Sequence, residues 1–196
     1  MFKKNIILGV ILGSTAFSAV AENNFSGEIL LGTADQKISA SGESASGDDL
    51  SFGVRGAFSL SENLAIEAAY QSYGEADDTY IDSFGDTIND KLTTTALNIG
   101  VKGIIPLDNG VSLNGRLGIS FWDAELKETD SSFPGQTFKA DDDGNDFYYG
   151  VGIQYEINSK MFIGAEYTIT KMDISTNGVS ADLDVKNMSL SLGFKF

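Results

Sequence analysis

The chain ends in Met188-Ser189-Leu190-Ser191-Leu192-Gly193-Phe194-Lys195-Phe196, a stretch that places a large apolar side chain at every second position. Small or polar side chains fill the positions between. Because successive side chains of a β-strand point to opposite faces, this stretch predicts a strand with one apolar face and one polar face. A strand that turns its apolar face to lipid and its polar face to an interior is typical of a transmembrane β-barrel.

The same alternation recurs seven times upstream. With 22 Gly, 13 Phe and 7 Tyr against only 2 Pro, the composition also favours strands and turns over helices. The sequence therefore predicts an all-β fold, an eight-stranded antiparallel up-and-down transmembrane β-barrel. The expected strands lie near residues 25–33, 50–60, 64–73, 93–107, 111–121, 146–157, 160–170 and 188–196.

The N-terminus has the pattern of an export signal. Lys3 and Lys4 precede an apolar run from Ile6 to Phe17, and Ala19-Val20-Ala21 fits the small-residue rule for cleavage before Glu22. A helical membrane anchor is the weaker alternative, because the run is shorter than the ~20 residues that cross a bilayer. We expect residues 1–21 to be a signal peptide and residues 22–196 to form one barrel domain.

The predicted connections alternate between short and long. Links after the second, fourth and sixth strands have a few residues, and Asp108-Asn109-Gly110 is a tight-turn signal. The other links, near 34–49, 74–91, 123–145 and 171–184, are long and polar. Short periplasmic turns and long extracellular loops are the asymmetry of outer-membrane barrels. The outward aromatic residues then form two belts, as lipid interfaces favour.

Two internal stretches and the terminal Phe are similar to those of a known family. The residues Asn-Leu-Ala-Ile-Glu-Ala-Ala-Tyr at 63–70 and Ile-Gly-Ala-Glu-Tyr at 163–167, together with Phe196, resemble the small outer-membrane β-barrels typified by the membrane domain of OmpA and by OmpX. The resemblance implies insertion by the barrel-assembly machinery, with Phe194 and Phe196 as its assembly signal. It also implies outer-membrane lipid and lipopolysaccharide as surroundings, and the cell outer membrane as location.

Charged side chains on the inward strand positions are balanced. An eight-stranded barrel is just wide enough for side chains to fill, and an unpaired ion in its interior would cost several kcal/mol. We therefore expect an ion-pair network that closes the lumen; a gated solute or ion path is the alternative. The network consists of Glu28, Glu67, Glu156 and Glu166 with Arg55, Lys102, Arg116 and Lys195.

The long links hold the excess negative charge. With the residues that flank them, they carry 21 of the 28 acidic residues and 6 basic ones, and removal of residues 1–21 changes the net charge from −15 to −17. Such a surface repels nucleic acid. The densest run is Asp141-Asp142-Asp143-Gly144-Asn145-Asp146, which lacks the glycine and glutamate spacing of an EF-hand. Asp141, Asp142, Asp143 and Asp146 are a weak candidate for Ca²⁺ or Mg²⁺, and solvated charge is the more common role of such runs.

The chain contains no His, so a Ser-His-acid site cannot be assembled, and we expect neither enzymatic activity nor a cofactor.

Three functions fit the features of the sequence. The leading hypothesis is a non-enzymatic bacterial outer-membrane barrel whose extracellular loops serve envelope integrity or adhesion, through contact with host or surface proteins. A small-solute or ion channel of the porin type is the alternative. A soluble periplasmic β-sandwich or calyx would expose the outward apolar residues to water.

Overall fold

The fold is a closed, all-antiparallel barrel of eight strands. The computed structural model describes residues 24–40, 43–81, 83–176 and 179–196; the predicted signal peptide lies outside the described residues. No helix in these ranges is long and apolar enough to cross a membrane. The strands are β1 (Phe25–Ala40), β2 (Glu43–Ser61), β3 (Leu64–Ile81), β4 (Thr87–Pro106), β5 (Val111–Asp130), β6 (Phe138–Glu156), β7 (Met161–Thr176) and β8 (Val179–Lys195).

Each strand pairs with the next along the chain, and β1 pairs with β8 to close the barrel. The closure brings both ends of the described chain together, because the Phe196 amide donates to the Phe25 carbonyl at 2.9 Å. The turns at this end are short, as predicted. At one of them Asn109 and Gly110 adopt positive φ angles of 61° and 78°, which a tight turn requires.

A band of exposed apolar side chains surrounds the half of the barrel that is nearer to the chain ends. Ile29, Leu31, Val54, Ile99 and Leu190 belong to it, and each points away from the interior. Aromatic side chains lie at both edges of the band, as the sequence predicted. The outward aromatics are Phe25, Phe58, Tyr155, Phe194 and Phe196 near the chain ends, and Phe52, Tyr70, Phe121, Phe147, Tyr149 and Tyr167 at the other edge.

The prediction of four long loops is wrong. Residues 34–40, 43–49, 74–81, 87–91, 123–130, 138–145, 171–176 and 179–184 continue the strands beyond the apolar band. We call the strand segments beyond the band the head. On β5 the head extends nine residues past Phe121, which is about 30 Å along a strand.

The head was missed because its strands reverse their polarity. In the band the apolar residues of β5 point outward, as Leu117 and Phe121 do; in the head Trp122 and Ala124 point inward and are buried. On β8 the apolar residues likewise point outward in the band, as Met188 and Leu190 do, and point inward further up the strand. A strand that leaves lipid for water needs a polar outer face, so its period of two persists with the opposite phase.

The head consists of two four-stranded sheets. Among the described residues, β3 pairs with β2 from Leu64 up to Ser72, which lies opposite Phe52, and the pairing ends there. Pairing between β6 and β7 likewise reaches only Tyr148 and Thr170. Above these levels β7-β8-β1-β2 form the first head sheet and β3-β4-β5-β6 form the second head sheet.

An aspartate bridges each seam between the two head sheets. On one side the Glu75 amide of β3 donates to Asp49 Oδ2 of β2 at 2.8 Å. On the other side the Asp173 amide of β7 donates to Asp146 Oδ2 of β6 at 3.3 Å. The backbone N–H groups of Glu75 and Leu50 hold the pKa of the Asp49 carboxyl below its ordinary value of 3.8.

Candidate functional site

Arg55 lies at the centre of the barrel interior and contacts three carboxylates. From β2 its guanidinium donates two hydrogen bonds to Glu166 on β7, at 2.6 and 2.8 Å. Its Nη1 also donates to Glu28 on β1 at 3.1 Å, and its Nε lies 3.7 Å from Glu67 on β3. A paired contact of this kind matches the planar fork of arginine to the two carboxylate oxygens.

Two further basic residues complete the cluster. Arg116 on β5 places Nε 3.1 Å from Glu67 and Nη1 2.9 Å from Glu166. Lys102 on β4 donates to Gln154 on β6 at 3.0 Å, and its Nζ lies 3.8 Å from a Glu28 oxygen. The six charged side chains are buried and balance each other, three of each sign. We call them the ion cluster: Glu28, Arg55, Glu67, Lys102, Arg116 and Glu166.

The ion cluster crosses the interior. Its members project from six of the eight strands, and the contact of Arg55 with Glu166 joins strands that are not neighbours in the sheet. Tyr148 adds β6, because its hydroxyl donates to Glu67 at 3.3 Å. The side chains therefore fill the cross-section at this level, as the width of an eight-stranded barrel allows.

The remaining two predicted members, Lys195 and Glu156, lie apart from the ion cluster. They form an ion pair with each other at the end of the barrel near the chain termini, where their side chains are 27% and 43% exposed. Both line an open cavity of about 510 Å³, into which Lys102 and Gln154 also face. Screening by water makes such a pair weak.

Uncharged polar side chains form the next level, between the ion cluster and the head. Ser51 donates to Asn187 at 2.6 Å, which joins β2 to β8. Asn98 lies within hydrogen-bond distance of Gln71 at 3.4 Å and of the Tyr73 hydroxyl at 3.3 Å. All five residues are buried, so the interior stays filled above the ion cluster.

An apolar core fills the interior of the head. Trp122 is buried, and its indole N–H donates to Asp146 at 2.8 Å. A Cβ at Gly144 would lie 2.6 Å from the indole ring, so the close approach of β6 to Trp122 requires glycine there. The buried core residues are Ala34, Tyr73, Ala76, Leu92, Ala96, Trp122, Ala124, Met172, Leu183 and Val185.

The acidic run at 141–146 is part of strand β6, and its carboxylates do not converge. Asp142 and Asp146 face the interior, whereas Asp141 and Asp143 alternate with them and face solvent. Asp146 is occupied by Trp122 and by the Asp173 amide. The described residues contain no group of three or more His, Cys, Asp or Glu side chains that could hold a metal ion.

The predicted assembly residues lie on the outside of the barrel. Phe194 and Phe196 are exposed at the end of β8, within the aromatic belt near the chain termini. The Phe196 ring lies 5.9 Å from that of Phe25 on β1.

Glu166 is the partner of Arg55 that sequence reasoning did not identify. Glu28 and Glu67 lie on β1 and β3, the strands that flank β2 and Arg55. Glu166 comes from β7 and makes the shortest contact of the three. Contact across a barrel depends on shear and on side-chain conformation, and the sequence carries no direct signal for either.

Comparison with known proteins gives a family and a fold. The sequence model of a family described as outer membrane protein β-barrel domain matches residues 6–196. A search among curated proteins found no match.

Solved structures with the same fold have low sequence identity. Ail, the attachment invasion locus protein of Yersinia pestis, solved with the heparin analogue sucrose octasulfate, is 19% identical at a TM-score of 0.55, covering 88% of this chain and 99% of Ail. Neisserial surface protein A is 14% identical at 0.60, with 87% and 97% covered. The outer membrane protease OmpT of Escherichia coli is 13% identical at 0.52, with 88% and 97% covered.

Proposed function

Since the chain belongs to the outer membrane protein β-barrel domain family, we propose that it is a closed, non-enzymatic barrel that presents its head as a contact surface outside the cell. Its role is then envelope integrity or attachment to other surfaces. The observation that carries this proposal is the filled interior: ion cluster, polar level and apolar core follow one another along the axis.

The interior favours closure over conduction. A solute path would have to separate Arg55 from Glu166 and Arg116 from Glu67, which leaves buried charges unpaired at several kcal/mol each. Further along the axis it would also have to displace Trp122 and its neighbours. The channel alternative therefore requires a rearrangement on three successive levels.

The proposal of a non-enzymatic role rests on the chain's own side chains. OmpT has the same fold and is a protease, so the fold alone does not decide this point. The chain has no His and no Cys, so neither a Ser-His-acid site nor a Cys-His site can be assembled from it. The buried carboxylates of the ion cluster contact arginine or lysine, which holds them as ion-pair partners.

The proposed maturation follows the order of the chain. Residues 1–21 direct export and are removed before Glu22, and residues 22–196 form the barrel domain. The barrel-assembly machinery recognises Phe194 on β8 and Phe196 directly after it, whose outward rings are accessible at the barrel end. In the membrane the apolar band contacts lipid, and the head stands at the level of lipopolysaccharide and above it.

Planar-bilayer recordings test the closed barrel. We expect the purified, folded chain to give no steady conductance at neutral pH, whereas Arg55→Ala, which removes one basic partner from each of three buried carboxylates, gives brief openings. Lys195→Ala is the matched control, because it removes a lysine at the barrel mouth and leaves the ion cluster intact. Steady wild-type currents would contradict the proposal.

An attachment assay tests the contact role. Bacteria that display the chain are expected to bind cultured epithelial cells in greater number than the same strain without it. Equal binding by the two strains would contradict the attachment role. The role in envelope integrity would then be tested by comparing the detergent sensitivity of the two strains.

A further inference from the structure

The end of the second head sheet carries a cluster of exposed apolar side chains. We call this cluster the summit: Tyr80, Ile81, Phe84, Phe133 and Phe138, on the β3–β4 and β5–β6 hairpins. Phe84 is 89% exposed and Ile81 is 72% exposed. The other large exposed apolar side chains of the described residues lie in the apolar band or at turns near the chain ends. A group of large apolar side chains exposed to water marks an interaction site.

The two hairpins that carry the summit are joined to each other. The Ser131 amide donates to the Thr87 carbonyl at 3.0 Å, and the Thr87 amide donates to Ser131 Oγ at 2.9 Å. Phe133 and Phe138 pack edge to face at a centroid distance of 6.2 Å. The two hairpins are therefore held together before any partner arrives, which lowers the entropy lost on binding.

Carboxylates surround the summit. Asp78, Asp90 and Glu128 lie opposite one another on β3, β4 and β5, and Asp130 pairs with Ile88 directly below the hairpin. The nearby lysines lie in ion pairs, Lys91 with Glu75 and Asp77, and both Lys127 and Lys139 with Glu125. The rim of the summit is thus negative.

We infer that the summit binds a protein partner through an apolar surface edged by lysine or arginine. This inference rests on the proposed function as a contact surface and names the chemistry of its partner. Aromatic residues are enriched at protein interfaces, and complementary charge at the rim steers the partner. The acidic rim disfavours a lipid surface, because entry of the rings would bring the carboxylates to the headgroups.

A naive peptide library provides the probe. The intact chain is reconstituted in phosphatidylcholine nanodiscs and used to select random twelve-residue peptides displayed on phage. Binding of independent clones is then compared between the wild type, a Phe84→Ser/Phe133→Ser variant and Ile157→Ser. Ile157 is the matched control, because it is an exposed apolar residue on a turn at the opposite end of the barrel. Heat-dependent gel mobility verifies that each variant folds.

We expect most clones to combine apolar residues with Lys or Arg and to bind the Phe84→Ser/Phe133→Ser variant at least tenfold more weakly. The same clones should bind Ile157→Ser as they bind the wild type, and should bind more weakly as salt rises. Clones that are insensitive to the double substitution, or that lack basic residues, overturn the inference.

Two further outcomes separate this inference from others. If phosphatidylcholine vesicles bind the wild type and fail to bind the Phe84→Ser/Phe133→Ser variant, the partner is lipid and the inference is wrong. If displaying cells attach but the double substitution does not reduce attachment, the inference fails while the proposed contact role stands. Wild-type conductance would contradict the closed barrel and leave the peptide result unaffected.

Discussion

Arg55 compensates more of the buried negative charge in the ion cluster than Lys102 or Arg116 does. It contacts all three acidic members of the ion cluster, whereas Lys102 and Arg116 contact one and two of them. In a buried pair the attraction largely offsets the loss of hydration, so the pair itself adds little to stability. Loss of one partner, by contrast, leaves charge buried without compensation.

Arg55→Ala is therefore expected to lower the free energy of unfolding by about 3 to 5 kcal/mol. Urea unfolding of the lipid-reconstituted barrel, followed by tryptophan fluorescence, measures this change. Lys195→Ala, in a partly exposed pair, should cost less than about 1 kcal/mol. A loss below about 0.5 kcal/mol for Arg55→Ala would mean that water reaches the ion cluster and screens it.

The strands show how far a period of two can be read from sequence. Strand number, order, antiparallel pairing and the turn at Asn109 and Gly110 were predictable, because lipid imposes one phase of alternation and short turns break it. The head was not, since small and polar residues such as Ala34, Gln36 and Gly144 interrupt its inward apolar residues, and its outer face resembles a polar loop. Leu183 and Val185 on β8 did carry the signal, in the opposite phase to Leu190 and Leu192.

In the head, the Asp49 side chain bridges the seam between strands β2 and β3. Asp49→Ala is expected to accelerate hydrogen exchange at the Glu75 amide about tenfold, because a charge-assisted hydrogen bond is lost. Asp48→Ala, on the opposite face of the same strand, should leave that amide unchanged. Nuclear magnetic resonance in nanodiscs measures both rates. Equal rates in the two variants would mean that Asp49 does not hold the seam.

The pH dependence of this seam follows from the lowered pKa of Asp49. The pKa of Asp49 in the folded chain lies below the ordinary 3.8. The carboxylate therefore stabilises the seam fully at every pH above the pKa that Asp49 has in the unfolded chain. Its contribution disappears only as the pH falls through the lower folded-state value. Protection of the Glu75 amide, corrected for intrinsic exchange, should therefore persist at pH 5.

The molecule as a whole combines a neutral interior with a strongly negative exterior. The ion cluster has equal numbers of each sign, so the formal charge of −15 for the full chain resides mostly in the head and its hairpins. A field of this sign attracts cationic partners and repels polyanions. It distinguishes the chain from any relative that binds sulfated ligands through a basic surface.

Sucrose octasulfate, the heparin analogue found with Ail, provides a direct test of this field. We expect no binding to the nanodisc-embedded chain at 1 mM ligand in calorimetry at low ionic strength, where electrostatic attraction or repulsion is strongest. Empty nanodiscs are the control. Saturable binding would contradict the expected repulsion of a polyanion.

The closing contact between β1 and β8 determines when each part of the molecule can be completed. Gln36 pairs with Val185, so the first head sheet joins residues from opposite ends of the chain and bears the largest cost of loop closure. The second head sheet uses four consecutive strands and needs no such encounter. The summit therefore belongs to the half that can form early, and a chain delayed at its last strand would already possess it.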